Sequence, residues 1–175
     1  MTDRDTAFAD YFAARSDAMR RTAYLLCGDW HRAEDLVQVA FTKLYLAWKR
    51  IAQREAMDAY ARQTLVRTFL SERRLGWFRK ENVAGEHADT VLNTAIPGHG
   101  PEDRMVLQEA LKRVPPGQRA VLVLRYWEDM SVDQTAQVLK CSTGTVKSQA
   151  ARGLQTLRDL LTDQMTPTFD RKRTR

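Results

Sequence analysis

Thr143, Thr145, Lys147, Ser148, Gln149 and Arg152 are the residues whose types and spacing point most directly to chemistry, namely hydrogen bonding and charge pairing with an acidic polymer. Hydroxyl, amide, ammonium and guanidinium groups can engage phosphate oxygens and base edges alike. They fall off an apolar stripe of Val146, Ala150, Leu154, Leu157 and Leu161, whose spacings of four and three predict a helix with one buried face. Between Lys140 and Leu157 stand three basic residues and no acidic one, which suits a surface laid against phosphates.

A second element must hold that helix in place. Ser131 and Gln134 have the spacing of a capping box, Ala136 and Leu139 give a short apolar stripe, and Lys140-Cys141 interrupts it before Ser142 caps the next helix. Two capped helices about three residues apart form a helix-turn-helix. Its second helix would enter a DNA major groove with its N-terminal residues nearest the bases. The plainer alternative is a solvated helix face that happens to carry a few cations.

Composition bounds the remaining options. The 175 residues are 43% hydrophobic, enough for one good core or two small ones, and the net charge of +6 favours an acidic partner. Cys27 and Cys141 stand far apart without a Cys-x-x-Cys pairing, so neither a disulfide framework nor a zinc site is expected. No apolar run approaches a membrane span or a signal peptide, and a cytoplasmic protein without membrane contact is expected. His31, His87 and His99 are scattered, with no catalytic triad order, phosphate loop or metal-ligand spacing. No enzyme activity, metal or cofactor is therefore expected.

The chain divides into an all-α architecture of two small helical domains joined by a flexible linker. Residues 5–75 are helical in pattern and free of proline, with Gly28-Asp29 as the internal turn signal. Residues 76–101 lose periodicity and collect Gly85, Asn93, Pro97, Gly98, Gly100 and Pro101, as a linker does. Residues 102–162 form the second domain: a helix from Glu102 to the Val114-Pro115-Pro116-Gly117 break, another from Gln118 to about Tyr126, then the helix-turn-helix. Residues 163–175 end in a polar, basic tail expected to fray.

In the first domain Ala33, Val37, Ala40, Leu44, Ala47 and Ile51 form a heptad-like seam. Leu36, Phe41, Tyr45 and Trp48 lie away from its centre, among Asp35, Gln38 and Lys43. Two readings stay open here. The helix is buried on several sides of a bundle, or it presents Phe41 as an anchor within a polar rim of Asp35 and Gln38 to a partner.

Taken together, residues 33–45, residues 111–125 and the Thr143-Gly-Thr-Val-Lys-Ser148 run resemble the extracytoplasmic-function sigma factors of bacterial RNA polymerase, most closely the short actinobacterial sigma-E-like group. The resemblance spans about residues 8–161. It implies a sigma region 2 helical bundle at 5–75 and a sigma region 4 helix-turn-helix at 102–162. Its partners would be core RNA polymerase, through the clamp helices of the largest subunit and the flap of the second-largest, and promoter DNA. Asp35, Gln38 and Phe41 match the polymerase-binding helix. The loop at 51–57, ending at Met57, matches the segment that captures an extruded −10 base, flanked by Arg50 and Arg54. Tyr60, Arg62, Arg67, Arg73 and Arg74 match the helix that contacts −10 DNA, with Tyr60 where Trp is usual and Arg67 where Asn is usual. Arg73-Arg74 can equally complement a helix C-terminus. Arg125, Thr143, Thr145, Lys147, Ser148, Gln149 and Arg152 would face −35 DNA, with Gln149 where many relatives carry Arg. Many relatives are held inactive by an anti-sigma factor between their two domains, and the Gly/Pro linker would permit one. A helix-turn-helix regulator acting without polymerase explains the C-terminal half equally well, but leaves the partner-like helix at 33–51 without a role.

Overall fold

The computed structural model describes residues 2–51, 53–76 and 100–165, so the expected linker and basic tail lie almost wholly outside it. Seven α-helices run α1 (Asp3–Cys27), α2 (Trp30–Ala47), α3 (Arg54–Gly76), α4 (Pro101–Arg113), α5 (Pro116–Leu122), α6 (Val132–Leu139) and α7 (Thr143–Met165), and no strand occurs among the described residues.

Local chemistry sets the helix ends. Thr2 and Asp5 form a capping box that starts α1. Asp5 lies below its usual carboxylate range because the Thr2 hydroxyl, the Tyr45 hydroxyl and the Thr2 amide donate to it. Gly28 ends α1 at φ 74°, donating its N–H to the Tyr24 carbonyl at 2.7 Å, and the Asp29 carboxylate then accepts the Arg32 N–H at 2.8 Å to start α2. A side chain at Gly28 would meet strain from its left-handed backbone and come within 2.7 Å of Lys112. Val114, which precedes a proline, takes the extended conformation that ends α4, and Pro116 occupies the first turn of α5. The helix expected from Gln118 begins earlier, at Pro116, and its continuation at Val123–Trp127 is wound as a π-helix.

Helices α1, α2 and α3 form a bundle around Leu26, Leu36, Leu44, Leu65, Val66 and Phe69, each with no exposed surface. At one end Phe8, Tyr11, Phe12, Phe41, Tyr45 and Trp48 pack edge to face. Asp58 on α3 accepts from the Tyr11 hydroxyl at 2.6 Å and from Arg15 at 2.9 Å, tying α3 to α1. Burial, then that bond to Asp58, pushes the Tyr11 phenol well above its ordinary range.

The apolar interior does not stop at the first domain. Ala120, Val123, Leu124, Met130 and Val138 of the second domain belong to the same buried cluster as Leu26 and Phe69, and a small satellite of Val121, Ala136 and Val146 lies beneath the helix-turn-helix. The two sequence domains thus share one core in this structure rather than closing two separate ones. Arg119 crosses the junction almost fully buried. Its guanidinium donates to the carbonyls of Leu26 at 2.7 Å, Lys112 at 2.5 Å and Val114 at 2.9 Å. These carbonyls lie at the ends of α1 and α4, where backbone acceptors lack helical partners and the helix dipole is negative.

Arg119→Met keeps the volume but strips those carbonyls of their donor. The substitution is expected to lower the unfolding free energy by about 3 kcal/mol, measured by urea denaturation.

Candidate nucleic-acid interface

The helix-turn-helix is built as its sequence dictates. The Ser131 hydroxyl accepts the Gln134 N–H at 3.1 Å while the Gln134 side chain accepts the Ser131 N–H at 2.8 Å. Lys140 closes α6 in the left-handed region at φ 53°, and the Cys141 N–H reaches the Ala136 carbonyl at 3.1 Å. Ser142 then accepts the Thr145 N–H at 3.1 Å to open α7. Val146, fully buried with Val121 and Ala136, fixes the rotation of α7, and Gly153 lets α5 approach so closely that an added Cβ would lie 3.1 Å from Leu122.

That rotation leaves Thr143, Thr145, Lys147, Ser148 and Arg152 exposed, with Gln149 half-buried beside them. Among the described residues neither Lys147 nor Arg152 has a carboxylate partner. The cations are therefore placed to neutralise an external anion. Arg125 differs. Its guanidinium donates to the Met130 carbonyl within the turn that leads into α6, 5.9 Å from the Tyr126 ring, so it shapes the approach to the motif instead of lying on α7.

The residues expected to meet −10 DNA separate into two sets. Arg50 ends a short 3₁₀ turn and Arg54 begins α3, and both are exposed. The expected loop at 51–57 is a correction: α3 starts at Arg54, so only 51–53 connect the helices, with Ala52 outside the described residues, and Met57 lies within the first turn of α3. The preceding stretch contains neither proline nor glycine, and nothing in it stops the helix from extending back. Met57 and Tyr60 are half-buried against the core. Arg62 and Arg67 face the second domain. Arg62 Nε pairs with the Glu128 carboxylate at 2.7 Å, and Arg67 Nε donates to the Val138 carbonyl of α6 at 3.1 Å. Arg73 and Arg74 lie on α3 by backbone, but their side chains fall outside the described residues.

On α2, Asp35 and Gln38 are exposed as expected for a contact face, whereas Phe41 is not. Its ring is 3% exposed and packs on Phe8, Tyr11 and Phe12, so it is a core residue of the bundle and not a surface anchor. Leu36 is likewise buried. The seam at Ala33, Val37, Ala40, Leu44 and Ala47 turns inward, and the face left outside runs through Asp35, Gln38, Thr42 and Leu46. Leu46, 70% exposed, is the apolar residue on that face, and sequence periodicity passed over it. Glu128 was passed over too, although Glu128 and Asp129 are the only acidic residues between Arg113 and Asp133.

Cys27 is buried, which pushes its thiol up and leaves it a poor nucleophile, while Cys141 is half-buried. Among the described residues no cluster of His, Cys, Asp and Glu could hold a metal ion, and no helix is long and apolar enough to cross a membrane.

Comparison with known proteins places this geometry. The family "Sigma-70 region 2" matches residues 12–79 and "Sigma-70, region 4" matches residues 104–157. The RNA polymerase sigma-E factor of Streptomyces coelicolor is 38% identical over 158 residues, covering 88% of this chain and 85% of its own length. The chain belongs to the extracytoplasmic-function group of sigma-70 family factors. An extracytoplasmic-function factor of Bacillus subtilis, SigW, is 28% identical over 92% of this chain and 91% of its own. Among solved structures, the sigma factor RpoE of Bartonella quintana, crystallised with the anti-sigma factor NepR, shares the fold at a TM-score of 0.70 and 24% identity, over 89% of this chain and 97% of its own. Within the sigma factor, the exposed α2 face and all of α3 fall in the region 2 match, and α7 as far as Leu157 falls in the region 4 match.

Lys147→Ala is expected to reduce the slope of log affinity against log salt by roughly one on −35 duplexes selected from a random pool. Arg152→Ala should weaken the same binding by about 1–3 kcal/mol at physiological salt, and unchanged affinity would count against the docking of α7.

Proposed function

We infer that this sigma factor acts in the cytoplasm, joining core RNA polymerase and directing it to promoters whose −35 element is read as duplex by α7 and whose −10 element is opened by the first domain. It is an initiation factor, not an enzyme, and the chemistry of nucleotide addition belongs to the polymerase. Region 2 meets polymerase through the outer face of α2, where Asp35 and Gln38 supply polar contacts and Leu46 the apolar anchor that Phe41, being buried, does not provide. Arg50 and Arg54 grip the −10 backbone near Met57 and Tyr60, while Arg62, Arg67, Arg73 and Arg74 continue along α3. Unstacking a base costs a few kcal/mol, which a pocket for the flipped base and cations along the strand can offset. In region 4, Thr143, Thr145, Lys147, Ser148, Gln149 and Arg152 dock on −35 DNA. An apolar groove lined by Leu107, Leu111, Leu122, Tyr126, Leu154 and Leu157 suits an apolar element of the polymerase flap. The anti-sigma complex of the Bartonella factor supports a similar partner here.

The observation that carries this reading over that of a free-standing repressor is the exposed face of α2. Leu46, exposed beside Asp35, Gln38 and Thr42, supplies an apolar centre within a polar rim on the helix that falls in the region 2 match, a region that a repressor reading leaves without a role.

Leu46→Asp is expected to weaken capture of core RNA polymerase by about tenfold with the fold intact by circular dichroism. Run-off transcription on a promoter library should then fall in parallel. Retained capture would move the contact off this face, and failure of the wild-type chain to bind core polymerase would restore the repressor reading.

A further inference from the structure

Tyr11 of α1 touches both of the elements that flank the connection between α2 and α3. Its ring packs on Trp48, where the 3₁₀ turn ending at Arg50 begins, with the centroids 5.4 Å apart. Its hydroxyl donates at 2.6 Å to the carboxylate of Asp58, the residue after Met57 on α3. The other oxygen of that carboxylate takes Arg15 of α1 at 2.9 Å, so two donors on one helix hold the start of another. Hydrogen bonds to a carboxylate are short and strong, and this one is sheltered, Tyr11 being 4% exposed and the Asp58 side chain 17%. Burial and then the bond to Asp58 raise the phenol well above its ordinary range, so its hydroxyl stays a donor at any ordinary pH. The tie matters because of where it lies. From Arg54 to Tyr60 no residue of α3 is fully buried, and the core residues Ala61, Leu65, Val66 and Phe69 all come later. Core packing therefore fixes the body of α3, while its first turns, which would otherwise fray as helix ends do, are held by Asp58.

We propose that Tyr11 and Asp58 are positioning residues for promoter opening: their hydrogen bond holds the first turns of α3 so that Arg54 and Met57 stand ready to receive an unpaired −10 base. The proposal rests on the reading of Arg54 and Met57 as −10 contacts. A helix start free to fray would have to be ordered at the moment of capture, and that ordering would subtract from the binding that offsets unstacking. A start already in place adds no such cost. Asp58 also lies between Arg54 and Arg62, where a carboxylate facing outward would repel phosphates. The donors on α1 turn its charge inward. Reading of the −35 duplex by α7 uses none of these groups, so loss of the tie falls on the opening step and not on the first encounter with the promoter.

The test uses holoenzyme assembled with the full chain, on promoters recovered from the run-off library and on the same promoters carrying a mismatched, already unpaired −10 segment. Tyr11→Phe keeps the ring against Trp48 and removes only the hydroxyl. Tyr45→Phe is the control, because it removes a similar phenol–carboxylate bond, 2.7 Å to Asp5, that ties α1 to α2 and leaves α3 alone. The quantity read is the rate at which transcript first appears at saturating holoenzyme. On duplex promoters Tyr11→Phe is expected to be about fivefold slower than Tyr45→Phe, and on the mismatched templates the two should be equal, since no base has to be unstacked there. A variant that simply lowered the amount of folded factor would slow both templates alike. Equal rates for the two variants on duplex, or a deficit of Tyr11→Phe that persists on the mismatched templates, overturns the positioning role. Arg54→Ala, run alongside, separates this from the reading beneath it. If Arg54→Ala slows duplex opening and Tyr11→Phe does not, the positioning role alone falls; if Arg54→Ala opens duplex promoters at the wild-type rate, the assignment of the start of α3 to −10 DNA falls and the proposal with it.

Discussion

The buried guanidinium of Arg119 is the interaction on which the arrangement of the two halves depends. Helices α1 and α4 end against each other, each with carbonyls that have no helical partner, and an unpaired buried carbonyl is costly. One planar cation with several fixed donors satisfies carbonyls from both ends, and its positive charge sits where both helix dipoles are negative. The prolines at 115 and 116 make this possible by stopping α4 at Val114 and restarting the chain as α5, which carries Arg119 back over the ends it must cap. Without that cation the junction between region 2 and region 4 would bury orphaned acceptors.

From that junction the remaining geometry follows. Helix α5 and its π-wound continuation lie against α1, which carries Glu128 to Thr22 and Arg62, and α6 comes to rest on α3. Helix α7 packs on the far side of α5 and α6, so its polar face looks away from region 2. The polar face of α7 is consequently uncovered, while Arg62 and Arg67 on α3 are covered by the same set of contacts.

Much of the fold was legible because its signals are local. The capping box at Ser131, the Gly28-Asp29 turn, the proline break and the 3–4 spacing of Val146, Ala150, Leu154 and Leu157 each depend on residues within a turn or two of one another. The exposed row on α7 was legible for the same reason, since one buried valine fixes the rotation of the whole helix. Phe41 and Leu46 were not. A helix between two neighbours buries more than one stripe, so membership of the seam does not decide which off-seam residues are covered, and Phe41 went inward while Leu46 stayed out. The start of α3 was obscure because no breaker residue separates 51–53 from the helix proper.

The sequence by itself determined an all-α chain, the helix-turn-helix with its cationic face, and membership in the sigma factor family, since periodicity, capping and motif order are written in neighbouring residues. Only the tertiary structure decided that both halves share one core, that Arg119 caps two helices at once, and that Arg62 and Arg67 meet the second domain. Those partners lie 66 and 71 residues away in sequence for the two arginines on α3 and 93 for the contact from Arg119 to Leu26. Pairing over such distances is set by how packed faces meet in space, which no local pattern encodes.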